Sequence, residues 1–128
     1  MRCLDSSFVV DLLAGQPAAL RKAQELEASG VRLSITVPAM AEILMGAHFR
    51  GGTYLRKALE LLAGLDVLPA DGAVAAEAGE LGAELLRRGR RAAAADLLIA
   101  ATARLNGKIL VTRDDAFSKV PGLAVETY

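Results

Sequence analysis

The chain has one cysteine, Cys3, and one histidine, His48. A lone cysteine excludes an internal disulfide and any cysteine-built zinc site, and a lone histidine excludes multi-histidine metal centres. Tryptophan is absent, and two tyrosines and three phenylalanines are too few and too scattered for a base-stacking platform. Neither sign of charge is in surplus, since fifteen Lys and Arg balance fifteen Asp and Glu. That argues against a protein that coats polyanions indiscriminately, while leaving room for a local basic patch. No apolar run reaches the roughly 18–20 residues of a membrane span. Asp5 interrupts the N-terminus too early for a secretory signal. The expectation is a soluble, cytoplasmic protein. What is present is 128 residues, 53% of them hydrophobic. That suits a single domain over 1–128 whose core needs no staples, and it is too apolar for disorder.

Short strand-like runs alternate with helical ones. Cys3-Leu4 opens a strand ending at Asp5, and Ser6 and Ser7 stand where they would cap a helix running to near Gly15. Pro17 begins a second helix that ends near Gly30. Leu33–Thr36 alternates as a strand does, and Pro38 starts a helix with Val37, Met40, Ala41, Leu44 and Met45 on one apolar face. Gly51-Gly52 breaks the pattern, Tyr54 to Ala63 resumes it, and Val67–Pro69 reads as a strand. A long helix runs from Asp71 or Gly72 to about Arg88. The stretch Ala92 to Leu105 is a helix apolar almost all round, so it is expected to be buried on most sides. Lys108–Val111 is a strand, Phe117 rides on a short turn, and Leu123–Val125 closes the chain with another strand. Strands separated by helices imply right-handed crossovers and a mostly parallel sheet, whose sites form at the strands' carboxyl ends.

Four carboxylates stand out against that frame. Asp5 follows the first strand directly, and Asp114 with Asp115 follows Ile109–Val111, which puts them at the same sheet edge. Each has an ordinary reading as a cap or turn residue. Asp96 is the only charged residue between Arg91 and Arg104. A buried unpaired carboxylate costs several kcal/mol, so it must sit at a helix start, meet a cation or bind a metal. Glu42 lies in the first turns of the helix beyond Leu33–Thr36, where a solvated surface glutamate is the ordinary reading. Several carboxylates converging without enough cations require compensation. Mg²⁺ or Mn²⁺ supplies it, being hard and oxygen-preferring. A carboxylate-only divalent site suits phosphodiester hydrolysis.

The sequence around these residues resembles PIN domains, in particular VapC toxins of toxin–antitoxin pairs. Leu4–Leu13 is similar to the opening motif, Ile35–Gly46 to the second with its acid on a helix, Ala95–Ala103 to the third and Leu110–Phe117 to the fourth. The four occur in the family's order across nearly the whole chain. The resemblance implies an α/β/α sandwich with a parallel sheet and a Mg²⁺- or Mn²⁺-dependent ribonuclease. By position, Asp5, Glu42, Asp96 and Asp114 would form the acidic cluster and Thr112 its accompanying hydroxyl. It also implies a homodimer and a cognate VapB-type antitoxin that holds the enzyme inactive. Where many relatives carry an acidic or polar residue before the final Phe, this chain has Ala116, with Asp115 one position away.

Arg87, Arg88, Arg90 and Arg91 form the densest basic run; Arg90 and Arg91 would hold RNA phosphate, or the run decorates a helix end. Arg113 would pair with Asp114 or contact substrate. His48 lies six residues beyond Glu42, off its face, and metal catalysis does not need it. Asp11 reads as a surface residue, Cys3 as a small buried hydrophobe, and Met40 and Met45 as core. Rival functions are a catalytically silent binding module, a structure-specific or DNA-directed nuclease, and a phosphoacceptor receiver. The receiver wants an acidic pair after the first strand and a late lysine, where this chain has Ser6-Ser7 and Arg113.

Overall fold

The computed structural model describes residues 1–128. Its elements are β1 (Arg2–Leu4), α1 (Ser6–Leu13), α2 (Pro17–Ser29), β2 (Leu33–Thr36), α3 (Val37–Arg50), α4 (Gly52–Ala63), β3 (Asp66–Leu68), α5 (Gly72–Arg87), α6 (Ala94–Leu105), β4 (Ile109–Val111) and β5 (Val125–Glu126), with a 3₁₀ turn over Asp115–Lys119. All strand pairs are parallel, in the order β3-β2-β1-β4-β5. Helices flank the sheet as an α/β/α sandwich. The core gathers Phe8, Ile35, Leu81, Ile99 and Leu110, each almost fully buried, around the strands.

Local chemistry explains the boundaries. Thr36 accepts from the Ala39 N–H (3.2 Å) to start α3, and Asp71 accepts from the Val74 N–H (3.1 Å) to start α5. Gly51, at φ 68°, ends α3 and begins α4 at once, so the glycine pair joins two helices instead of opening a gap. α5 and α6 approach closely because Gly82 has no side chain: a Cβ there would meet Leu97 Cδ1 at 3.0 Å.

Several expectations are corrected. Neither Ser6 nor Ser7 caps α1: Asp5 holds the N-cap position, without a capping bond from its side chain. The long α6 begins at Ala94, and the last strand is Val125–Glu126, where Leu110 and Val111 pair with Val125 and Glu126. Met45 is not core. It is 73% exposed, because the buried stripe of α3 runs through Ala39, Ile43 and Ala47. Cys3 is buried on β1, and burial pushes its thiol up to about 11, consistent with an inert hydrophobe. No helix is long and apolar enough to cross a membrane.

Candidate active site

The order β3-β2-β1-β4-β5 places a reversal between β1 and β4. After β1 the chain lays strands to one side, and it returns to lay β4 on the other. The two crossovers diverge there and leave a crevice outside the carboxyl ends of the strands. Leu4 pairs with Val111, so the next residues, Asp5 and Thr112, emerge side by side at the mouth of that crevice.

They are bonded to each other. Thr112 Oγ1 donates to Asp5 Oδ2 at 2.7 Å, and Ser7 Oγ donates to the same oxygen at 2.9 Å. The Asp114 N–H in turn donates to Thr112 Oγ1 at 3.0 Å. A relay therefore runs from the β4 loop through one hydroxyl to the carboxylate after β1. Asp5 is 4% exposed and Thr112 1% exposed, so these bonds sit where water competes poorly. Asp5 satisfies one oxygen this way instead of capping α1. Asp114 does both jobs: its Oδ1 accepts from the Ala116 N–H at 2.9 Å and starts the 3₁₀ turn.

Asp96 is the third residue of α6, inside the first turn. The helix dipole there favours a negative charge by roughly 0.3–1 kcal/mol. Even so, its carboxyl is held above the usual range, by burial first and then by the charges of Asp114 and Asp5. Desolvation and like charge thus outweigh the dipole at Asp96. Glu42 lies exposed on α3, and its carboxyl is also raised, by partial desolvation and then by Asp5 and Asp96. The pattern of influences orders the four: Asp5 and Asp96 stand centrally, Asp114 acts on Asp96, and Glu42 feels the central pair. None of the chain's ion pairs involves any of them.

The donor set is all oxygen and none of its members is engaged in an ion pair, which suits a hard divalent ion. As placed, no three His, Cys, Asp or Glu side chains stand close enough together to hold a metal ion.

The family model of the PIN domain matches residues 2–123. The chain belongs to the PIN-domain family. It is similar to the tRNA(fMet)-specific endonuclease VapC of Shigella flexneri, with 30% identity over 130 residues covering 98% of this chain and 96% of that protein. It superposes on VapBC of Salmonella typhimurium bound to DNA with a TM-score of 0.80 at 26% identity, over 99% of this chain and 98% of that one. VapBC2 of Rickettsia felis, bound to a promoter DNA fragment, matches in fold with a TM-score of 0.84 at 24% identity, over 99% of this chain and 98% of that one.

In this PIN domain the remaining candidates separate. Arg113 does not pair with Asp114. Its guanidinium forks onto Asp11, with Nε to Oδ2 at 2.7 Å and an Nη to Oδ1 at 3.2 Å. Asp11 is thus a partner rather than a plain surface residue, and it also accepts from the Tyr128 hydroxyl at 2.6 Å. Burial, followed by that bond to Asp11, pushes the Tyr128 phenol up to about 12. Arg88 pairs with Glu84 one turn back at 2.9 Å. Arg90 and Arg91 instead line a cavity with Asp96 and Asp114. Asp115 is exposed, and its carbonyl accepts from Ser118 Oγ at 2.6 Å. His48 sits exposed in the last turn of α3. Sequence reasoning missed Ser7 as a partner of Asp5, because a serine after a strand also fits a cap. It missed Tyr128 because nothing local marks a residue whose partner, Asp11, lies across the fold.

Proposed function

We propose that this PIN domain is a cytoplasmic, divalent-metal-dependent endoribonuclease acting as the toxin of a toxin–antitoxin pair. One observation carries the reading. Asp5 and Asp114 are tied through Thr112 at the carboxyl ends of β1 and β4, and Asp96, in the first turn of α6, lines one cavity with Asp114. Asp5, Asp96 and Asp114 would hold Mg²⁺ or Mn²⁺. When bound, such an ion polarises the phosphodiester and stabilises the departing oxygen. Thr112 and Ser7 fix one Asp5 oxygen by hydrogen bonds and leave the other free. Glu42, its carboxyl raised by partial desolvation and by Asp5 and Asp96, either joins a second ion or takes the proton from the attacking water, where a raised pKa helps a general base. In-line attack leaves a 5′-phosphate and a 3′-hydroxyl. The Shigella relative is named as a tRNA-specific endonuclease, which supports RNA as the substrate class. The VapBC complexes support a VapB-type antitoxin as partner. Exposed Met45 and Phe49 on α3 are apolar surface that a homodimer would cover, which light scattering of the purified protein tests.

The decisive experiment is cleavage of mixed single-stranded RNA by antitoxin-free protein in Mg²⁺, Mn²⁺ or EDTA, with Asp96→Asn and a DNA control alongside. Metal-dependent RNA cleavage that vanishes in Asp96→Asn is expected. Undiminished cleavage by that variant overturns the site, and cleavage of DNA alone replaces the substrate class.

A further inference from the structure

Beside the carboxylates lies an open cavity of about 600 Å³, within the range of small-ligand pockets. Its walls are the loop between α5 and α6, the first turns of α6 and the 3₁₀ turn. The lining divides by chemistry. Leu85, Leu97, Phe117 and Val120 supply an apolar floor, while Arg90, Arg91 and Lys119 bring cations. None of those three cations is engaged in an ion pair, although Asp96 and Asp114 line the same cavity. Three unpaired cations beside an apolar floor are a recognition feature for a ligand that is flat on one side and carries a phosphate.

The loop is built to aim those arginines. Gly89, at φ 74°, follows the last turn of α5; its N–H reaches Leu86 O at 3.0 Å and the Arg90 N–H reaches Leu85 O at 2.8 Å. This is the Schellman closure, and it ties the backbone of Arg90 to a residue of the cavity floor. An acidic peptide entering here would meet Asp96 and Asp114, and a basic one would meet Arg90, Arg91 and Lys119. A nucleotide escapes the conflict: its base has apolar faces for the floor, and its phosphate suits the guanidinium fork.

We propose that this cavity is a nucleotide subsite. It holds the base of one nucleotide flanking the scissile phosphodiester, with a phosphate at Arg90, Arg91 and Lys119, and so sets the sequence preference at that single position. The proposal rests on the endoribonuclease reading, which it deepens. Ala116, exposed in the cavity lining, is the gate, because a larger side chain there occupies the base's place.

The test has two arms. In an Asp5→Asn background that prevents turnover, binding of a random single-stranded RNA octamer is followed by fluorescence anisotropy. Ala116→Phe is expected to weaken it about tenfold, the scale of one lost base contact. Arg90→Ala with Arg91→Ala is expected to flatten the slope of log affinity against log salt by about 0.7 per lost phosphate contact. With Asp5 restored, sequencing of cleavage products shows a nucleotide preference at one flanking position, lost in Ala116→Phe. Ala116→Phe and the exposed Lys119→Ala are checked for an unchanged melting temperature. Octamer affinity and preference indifferent to all these substitutions overturn the subsite, even if the parent cleaves RNA. Antitoxin binding weakened by Ala116→Phe while RNA binding is not makes the cavity a peptide groove and also overturns it. A parent that never cleaves but holds RNA through this cavity overturns the nuclease reading, and with it the placement of the subsite beside a scissile bond.

Discussion

Thr112 shows how one hydroxyl organises the site. It spends its proton on Asp5 and its lone pair on the Asp114 N–H, so it fixes two candidate ligands on adjacent strands. Residues in that supporting role typically cost 10–100-fold in metal affinity or activity when lost. Thr112→Val, which keeps the shape, is expected to lose cleavage by about that factor, while Thr112→Ser restores most of it. An active Thr112→Val would make the hydroxyl merely structural. Asp96 makes a second prediction, with a sign that can be worked out. Its folded pKa is raised, so its contribution to stability is fully present below the unfolded carboxylate pKa, about 3.9. That contribution is lost as pH rises through the folded value. In EDTA, Asp96→Asn should therefore raise the melting temperature at pH 7, by about 3 °C for repulsion on the order of 1 kcal/mol, and leave it unchanged near pH 3. A fall at pH 7, seen by calorimetry, would mean that the helix dipole outweighs the neighbouring carboxylates after all.

At the scale of elements, most of the architecture was legible from punctuation. Pro17 at the start of α2, Thr36 before α3, Asp71 before α5 and Gly30 after α2 act through backbone geometry that is local in sequence. Leu33–Thr36 was readable because its pattern and its stop signal agree. The misplaced features depend on contacts distant in sequence. Ser7 looked like a cap because its true partners, Asp5 and Thr112, meet only when β1 and β4 pair. Arg113 reads as a partner of Asp114 or of substrate because Asp11 lies 102 positions away in sequence. Met45 looked like core because a stripe of apolar residues on α3 does not say which edge faces the sheet. Gly89 belongs to the legible class and carries its own prediction. No atom stands within 4 Å of where its Cβ would be, so Gly89→Ala pays only for its left-handed φ, about 1–2 kcal/mol. The expected result is a melting temperature lower by several degrees, with KM for RNA raised more than kcat is reduced, because the loop aiming Arg90 and Arg91 loosens. An unchanged KM would detach those arginines from substrate binding.

For the whole molecule, topology concentrates acid at one place while net charge stays at +0. Asp5, Asp96 and Asp114 each follow a strand or open a helix, positions that a parallel sheet sends to one edge, while Glu42 lies one turn into α3. Their electrostatic coupling was not recoverable, since it depends on how far burial outweighs the dipole at Asp96. That coupling makes metal binding and folding a single linked equilibrium. The metal-free fold bears the repulsion among Asp5, Asp96, Asp114 and Glu42, and an unfolded chain separates them. A divalent ion that binds the folded state alone stabilises it by about 2.7 kcal/mol at a concentration 100 times its Kd. Melting curves recorded across a Mn²⁺ titration should rise accordingly for the parent protein. For Asp5→Asn combined with Asp96→Asn they should start higher in EDTA, because the repulsion is already relieved, and then stay flat as Mn²⁺ is added. A double variant that rises with Mn²⁺ as steeply as the parent would place the ion away from the β1–β4 crevice, and the acidic cluster would then be a strained surface rather than a metal centre.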